Sequence, residues 1–374
     1  MLRDLTIQNY RCFENFYMDG LERVNLFVGN NNSGKTSLLE AIYLLVNPDK
    51  LYSLFYILQG RSAIEIIENK YFQAHDLFNT LSIKQLFFDR NLLNTNSIEI
   101  KSRLIAPVEI PQLMQPSKYR DDIFIRISTK KHNEFSKLNI KLEYFDLFSK
   151  GEFQKQLYIN EQNNKISTDN EFLEEVNLDF KKILSLSQNN AKLILQNKTN
   201  VTILNNMWGD IYLTEKEDKL VQALQIIEST IQRLGFALNE KHNIIRLKVS
   251  GHSEPIPLSS MGEGMYRILV LAMSLVTSEN GVLLVDEIET GLHYEAQTDM
   301  WRLILETAKE LNVQVFATTH SWDCIAAFQE ALSQVEDSSI GKLFRLDSKY
   351  GKLRAVEYNA EDLDIAVRNS IEVR

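Results

Sequence analysis

Gly29-Asn30-Asn31-Asn32-Ser33-Gly34-Lys35-Thr36 fills every defined position of the pattern G-x-x-x-x-G-K-[ST]. Its flanks suit that pattern. Val24-Asn25-Leu26-Phe27-Val28 reads as a short buried strand, and Ser37 to Val46 as an apolar-rich helix stopped by Asn47-Pro48. Glycines at both ends let the loop close tightly enough to aim successive backbone N–H groups at one anion. The unpaired N–H groups and dipole of the helix start add to that field. The expected phosphate cradle runs from Asn30 and Asn32 through Ser33, Gly34 and Lys35 to Thr36 and Ser37. Lys35 is placed to bridge the β and γ phosphates of ATP, and the Thr36 hydroxyl to hold Mg²⁺. The competing reading is a Gly/Asn-rich turn between a strand and a helix with no ligand.

A second set of polar groups follows far downstream. Val282-Leu283-Leu284-Val285 is an apolar strand that ends in Asp286-Glu287, and the carboxyl end of a strand is where an α/β sheet presents ligands. Asp286 is expected to complete the Mg²⁺ shell beside Thr36, and Glu287 to polarise the attacking water. On its own the same pattern describes a strand leaving for solvent. Ala317-Thr318-Thr319-His320-Ser321 ends the next strand, which brings His320 to the same edge as a group that polarises the γ-phosphate or positions water. A histidine after a strand is otherwise a structural residue. Between these sets, Ser259-Ser260-Met261-Gly262-Glu263-Gly264 enters a helix, and its polar, glycine-bearing start is another natural anion site. Its alternative is an ordinary capping box, with Ser260 as N-cap and Glu263 at the third helical position.

The chain has 374 residues, 44% hydrophobic and 24% charged, so it can bury a sizeable core in one large or two moderate domains. A net charge of −9 argues against a surface that coats nucleic acid, although Lys118 to Lys155 is locally basic. Cys12 and Cys324 are far apart and form no CxxC. No export signal or membrane span is read, and the expected compartment is the cytoplasm.

Strands are expected at Leu2 to Tyr10, Ser97 to Lys101, Ile123 to Ile127 and Leu138 to Tyr144, with loops at Gln162 to Asn170 and near Gln188. Helical patches occupy roughly 50 to 90, and one amphipathic helix runs from about Thr214 to Leu238. From Ile244 onward strands alternate with helices, which implies a largely parallel sheet covered on both faces. The fold class is α/β, a mixed or parallel sheet covered by helices and interrupted by a long α+β insertion. We divide it as an N-terminal lobe at 1–96, an inserted region with a long helix at 97–240, and a C-terminal lobe at 241–374.

With these stations in this order, the chain resembles the ABC-type ATPases of the RecF, SMC and OLD-like group. Ile7-Gln8-Asn9-Tyr10-Arg11-Cys12-Phe13 looks like that group's NFRxF start, and the resemblance implies that Arg11 lies near the nucleotide. Ser260-Met261-Gly262-Glu263 matches the signature loop, with Met261 in place of the usual first glycine. The resemblance implies that Ser260, Gly262 and Glu263 complete the nucleotide pocket of a second subunit, so that ATP is sandwiched in a homodimer or higher homo-oligomer. His320 matches the switch histidine, and Glu289-Thr290-Gly291-Leu292-His293 the loop that lies across the dimer interface. Gln73 falls where a γ-phosphate-sensing glutamine occurs.

The likeness is to stand-alone ATPases of bacterial anti-phage defence and toxin-antitoxin operons, which implies a separate effector, a TOPRIM or other nuclease. Glu361-Asp362-Leu363-Asp364 imitates an acidic D-x-D but reads as a carboxylate-rich helix start. Rival readings are a RecF-like repair ATPase that binds DNA, the motor subunit of a membrane transporter, and a scaffold that binds ATP without turning it over.

Overall fold

A computed structural model of the chain describes residues 1–47, 53–54, 57, 86–88, 97–104, 122–132, 137–146, 151–160, 166–168, 191–195, 201–238, 243–349 and 352–374. Most of the helical patches expected between 50 and 90, and Gln73 with them, lie outside the described residues. These residues divide into two compact units, one from 1–21, 40–189 and 348–354, the other from 22–39, 190–347 and 355–374.

The first unit carries an antiparallel sheet in the order β2-β1-β4-β5-β6-β7-β8. Its strands are β1 (Leu5–Tyr10), β2 (Phe13–Met18), β4 (Ser97–Arg103), β5 (Asp122–His132), β6 (Lys137–Asp146), β7 (Gly151–Asn160) and β8 (Ile166–Thr168). Alternation explains the strands that the sequence announces: Ile98 and Ile100 of β4, and Ile123, Ile125 and Ile127 of β5, are all buried. The hairpin that returns through β2 pairs Tyr10 with Phe13. Arg11 makes its turn at a φ of 51°, a left-handed conformation that a non-glycine residue adopts at a cost.

The second unit is built on a sheet ordered β16-β15-β3-β14-β13-β9. It comprises β3 (Val24–Val28), β9 (Ala191–Ile194), β13 (Val282–Val285), β14 (Gln314–Thr318), β15 (Gly341–Lys349) and β16 (Lys352–Tyr358). From β15 through β3, β14 and β13 to β9, each strand runs parallel to its neighbour. Every residue of β3 and β14 is buried, as expected of parallel strands covered on both faces. The helix α1 (Lys35–Val46) follows β3. Within this unit, α4 (Glu263–Thr277), α5 (Gln297–Glu310) and α6 (Trp322–Gln334) bury their apolar faces in one core with β3, β13 and β14. Trp301 of α5 packs tilted against Phe328, with ring centroids 4.6 Å apart, and donates its indole N–H to the Cys324 carbonyl, so its one polar atom is satisfied. A capping box at Asn359 opens the last helix, α7 (Ala360–Arg368), around Asp362. The acidic run there is a helix start, as read from the sequence.

Two local expectations need correction. The helix expected from Thr214 to Leu238 ends early: α3 (Glu215–Gln225), which follows α2 (Val201–Ile211), gives way to strand β10 (Ile231–Leu238). Ile226, Ile227, Thr230 and Ile231 are β-branched and Gly235 weakens a helix. Pairing with β11 (Asn243–Val249), which also carries β12 (Ile256–Pro257), decides the matter. The loop expected at Gln162 to Asn170 contains β8. The one expected near Gln188 lies outside the described residues, and β9, which follows it and aligns with β13, was not expected.

Candidate functional site

The phosphate loop leaves the end of β3 and enters α1 at Lys35. Gly29, Asn32 and Gly34 take φ values of 147°, 63° and 92°. At Gly29 no side chain fits, because a Cβ would lie 2.6 Å from the Leu346 carbonyl oxygen and 2.8 Å from Ser33 Oγ. The loop is closed by the Ser33 N–H donating to the Asn30 carbonyl, and the helix starts with the Leu38 N–H on the Gly34 carbonyl. Lys35 Nζ folds over the loop and donates to the carbonyls of Gly29 at 2.6 Å and Asn30 at 3.1 Å. Partial burial holds the Lys35 ammonium below the usual lysine range, against the pull of Asp286, Glu287 and Glu289. Ser33 Oγ is buried without a hydrogen-bond partner, and Ser37 is buried beneath the loop's exit.

Three strand ends meet around Asp286. The Thr36 hydroxyl donates to Asp286 Oδ2 at 2.9 Å, and the Thr318 hydroxyl donates to Oδ1 at 2.6 Å. Thr318 Oγ1 also accepts the N–H of Glu287 at 2.9 Å, and its carbonyl accepts that of Ile288. The Thr319 N–H reaches back to the Phe27 carbonyl, and the Asp286 N–H to the Ile194 carbonyl. Asp286 is thus held on both oxygens, while the backbone turns at Glu287 through a φ of 46°. Burial raises the Glu287 carboxyl above the usual glutamate range, with Asp286 and Glu289 adding to the rise and His320 and Lys35 opposing it.

His320 lies beside this turn. Its Nδ1 is 3.9 Å from Glu287 and 3.6 Å from Glu289, its main-chain N–H donates to Glu289 Oε1, and its carbonyl accepts from Arg374 Nη1 at 3.0 Å. Arg267, the one basic residue of the mostly apolar α4, donates to the Glu287 carbonyl at 3.3 Å. Burial pulls its guanidinium below the usual range, against the attraction of Glu289.

Lys35, Thr36, Asp286, Glu287 and His320 therefore converge at one edge of the second unit's sheet, where the sequence placed them. Ser260 stands exposed in a 3-10 turn, Leu258–Met261, and Gly262 and Glu263 follow it, both exposed. The capping-box alternative does not form: Gly262 is the cap residue of α4 and no side chain caps it. A Cβ on Gly264 would touch Leu292 at 3.5 Å, so the start of α4 packs on the loop after the carboxylates.

Arg11 belongs to the first unit. Its Nε is 2.8 Å from Glu40 Oε2 and donates to the Tyr10 hydroxyl, with side chains of only 8% and 1% exposure for Arg11 and Glu40. Burial alone would lower the guanidinium's pKa, but Tyr10 and Glu40 raise it.

Thr318, Arg267 and Arg374 were not singled out from the sequence. A hydroxyl at the end of a buried strand and a basic residue within a mostly apolar helix were the available signals for the first two.

The family model described as "AAA ATPase domain" matches residues 1–325. The chain is 25% identical to the "ATP/GTP phosphatase" of Helicobacter pylori, across 99% of this chain and 98% of that one. It is 23% identical to the "DNA replication and repair protein RecF" of Streptococcus pyogenes serotype M1, across 88% and 95%. Among solved structures, an SMC head bound to the C-terminal winged-helix domain of ScpA aligns with a TM-score of 0.52 at 13% identity, covering 97% of this chain and 99% of that one. No described helix is long and apolar enough to cross a membrane. With the phosphate loop, the strand-end carboxylates and this α/β fold in place, the chain belongs to the AAA ATPase domain family, as an ATP-hydrolysing enzyme similar in sequence to RecF and in fold to the SMC head.

Proposed function

We propose that the chain is an ATP-driven switch in which two copies close over ATP and Mg²⁺ and part after hydrolysis, changing the surface offered to a separate effector. The observation that carries this reading is the hydrogen-bonded chain Thr36–Asp286–Thr318, which ties the phosphate loop to the ends of β13 and β14. The hydroxyl and carboxylate oxygens of Thr36 and Asp286 suit Mg²⁺, a hard cation that keeps water and substrate phosphate as its remaining ligands. Bound there, Mg²⁺ would neutralise charge developing on the phosphates.

The backbone from Asn32 to Thr36 and the Lys35 ammonium bind the phosphates. Lys35 must first leave the Gly29 and Asn30 carbonyls, which hold it in place of the substrate. Glu287 orients and deprotonates the attacking water, and its raised pKa suits a base. His320 helps to place that water and the γ-phosphate. Ser260, Gly262 and Glu263 act on the nucleotide of the second copy, for which their exposure leaves them available.

The effector reading places this switch in a bacterial defence or toxin-antitoxin system. The test is Glu287→Gln, measured for ATP turnover and for mass by light scattering with and without MgATP. Turnover should fall by about 100-fold or more, and mass should double only with MgATP. Wild-type turnover would sink Glu287 as the base, and an unchanged monomer mass would sink the sandwich. The RecF relatives favour a second reading, a DNA-binding repair ATPase, for which ATP-dependent and salt-sensitive DNA binding is the discriminating observation.

A further inference from the structure

Glu289 is the carboxylate of the site that lies nearest the His320 ring. Its side chain is 10% exposed, its Oε1 lies 3.6 Å from His320 Nδ1 and accepts the His320 main-chain N–H at 3.4 Å, and its Oε2 is buried with no hydrogen-bond partner. The His320 carbonyl is fixed from the other side by Arg374, itself paired with Glu372. The peptide of His320 is thus gripped at both its N–H and its carbonyl, while the ring is 54% exposed.

A ring nitrogen that faces two carboxylates carries the proton, since a lone pair there would be repelled by both. Glu289 is the nearer of the two, at 3.6 Å against 3.9 Å for Glu287. We infer that Glu289 is a positioning residue for ATP hydrolysis: it holds His320 with the proton on Nδ1 and leaves Nε2 as the nitrogen that meets the substrate. By taking up the imidazole, it also keeps the Glu287 carboxylate free for water. The inference rests on the role of His320 given above. Glu289 has no contact with the reacting atoms in this account and acts only through the ring.

The test combines steady-state ATPase kinetics of the full chain with ring ¹⁵N spectra of protein labelled at histidine, His320 being assigned from the spectrum of His320→Ala. Glu289→Gln keeps the shape and the acceptor for the His320 N–H but removes the charge. Its kcat should fall about 10- to 100-fold with KM within about twofold, and the loss should vanish in a His320→Ala background. In the wild type His320 should show the Nδ1–H form, and in Glu289→Gln a mixture.

Wild-type kcat in Glu289→Gln, beside a slow His320→Ala, would overturn the role of Glu289 and leave that of His320 standing. Independent, multiplicative losses would likewise overturn it. Wild-type kcat in His320→Ala would sink the role of His320 first and this inference with it. If Glu289→Gln does not fold, an Nε2–H ring in the wild-type spectrum overturns the inference without any variant.

Discussion

Thr318→Val removes one hydroxyl and almost no volume, at the point where the site's two carboxylates are held. Thr318 is fully buried, and its Oγ1 both donates to Asp286 Oδ1 at 2.6 Å and accepts the Glu287 N–H at 2.9 Å. A hydrogen bond to a charged group is worth about 1.5–3 kcal/mol, and a buried donor left unmade costs about 1–3 kcal/mol. Asp286 retains Thr36 on its other oxygen, so the two costs do not add in full. We expect a loss of about 3 kcal/mol in the stability of the second unit.

The larger effect should be on turnover. Glu287 sits at a φ of 46°, a conformation that costs about 1–3 kcal/mol and persists only where its surroundings enforce it. The Thr318 hydroxyl is one of the groups that enforce it. Without it the Glu287 carboxylate should wander, and a displacement of about 1 Å from the attacking water costs about 100-fold in rate. KM for ATP should change little, because Lys35 and the loop backbone are untouched. The assay is steady-state hydrolysis with urea unfolding on the same preparations, and Thr318→Ser, which keeps the hydroxyl, should recover most of the rate. A Val variant with kcat within twofold of wild type, and stability within about 0.5 kcal/mol, would refute the reasoning.

Gly29→Ala should weaken ATP binding by tenfold or more, since its Cβ would meet the Leu346 backbone carbonyl at 2.6 Å, which cannot swing aside as Ser33 Oγ can; equilibrium binding of a fluorescent ATP analogue reads this directly. In the first unit, Glu40→Gln leaves the buried Arg11 guanidinium without its opposite charge, and the cost should be about 3 kcal/mol in chemical denaturation. A change below about 0.5 kcal/mol would mean that Tyr10 suffices as partner. Met261→Gly, which restores the family's usual residue, should leave ATPase activity within about threefold, because Met261 packs against the core of the second unit. Gly262→Ala should cost far more, since a φ of 87° with ψ of 165° is open to glycine almost alone, and ATPase assays at several protein concentrations compare the two.

The parallel sheet was legible because its strands carry short, mostly apolar runs, each closed by a group with chemistry: Gly29 after β3, Asp286 after β13, His320 two residues beyond β14. Periodicity failed where two patterns overlap. From Thr214 the spacing of Leu220, Leu224, Ile227, Ile231 and Leu234 suits a helix, yet Ile231 and Leu234 are buried on a bulged strand whose register shifts between Ile231 and Arg233. The bulge inserts a residue and so imitates a helical step. Strand β9 was missed for another reason. Ala191–Ile194 is four residues long and gains its identity only by lying beside β13, a partner about ninety residues away that no local window sees. The same limit hid Thr318: its hydroxyl matters because of Asp286, and only the fold brings them together.

That Asp286 and Glu287 adjoin yet do different work in the function proposed above is itself a problem of backbone geometry. In an extended strand, neighbouring side chains point to opposite faces, so two carboxylates continuing β13 would place one on each side of the sheet, beneath its covering helices. The left-handed turn at Glu287 prevents this. Asp286 stays with the strand, caught between the hydroxyls of Thr36 and Thr318. Glu287 is carried round toward His320, with its N–H on Thr318 and its carbonyl receiving Arg267. One carboxylate is thereby fixed on both oxygens, as a metal ligand needs to be. The other is fixed through its backbone and left with a free carboxylate end, as a base that must exchange protons with water requires. The strain at one residue separates the two proposed roles, which gives a reason for a non-glycine residue to be held in that conformation there.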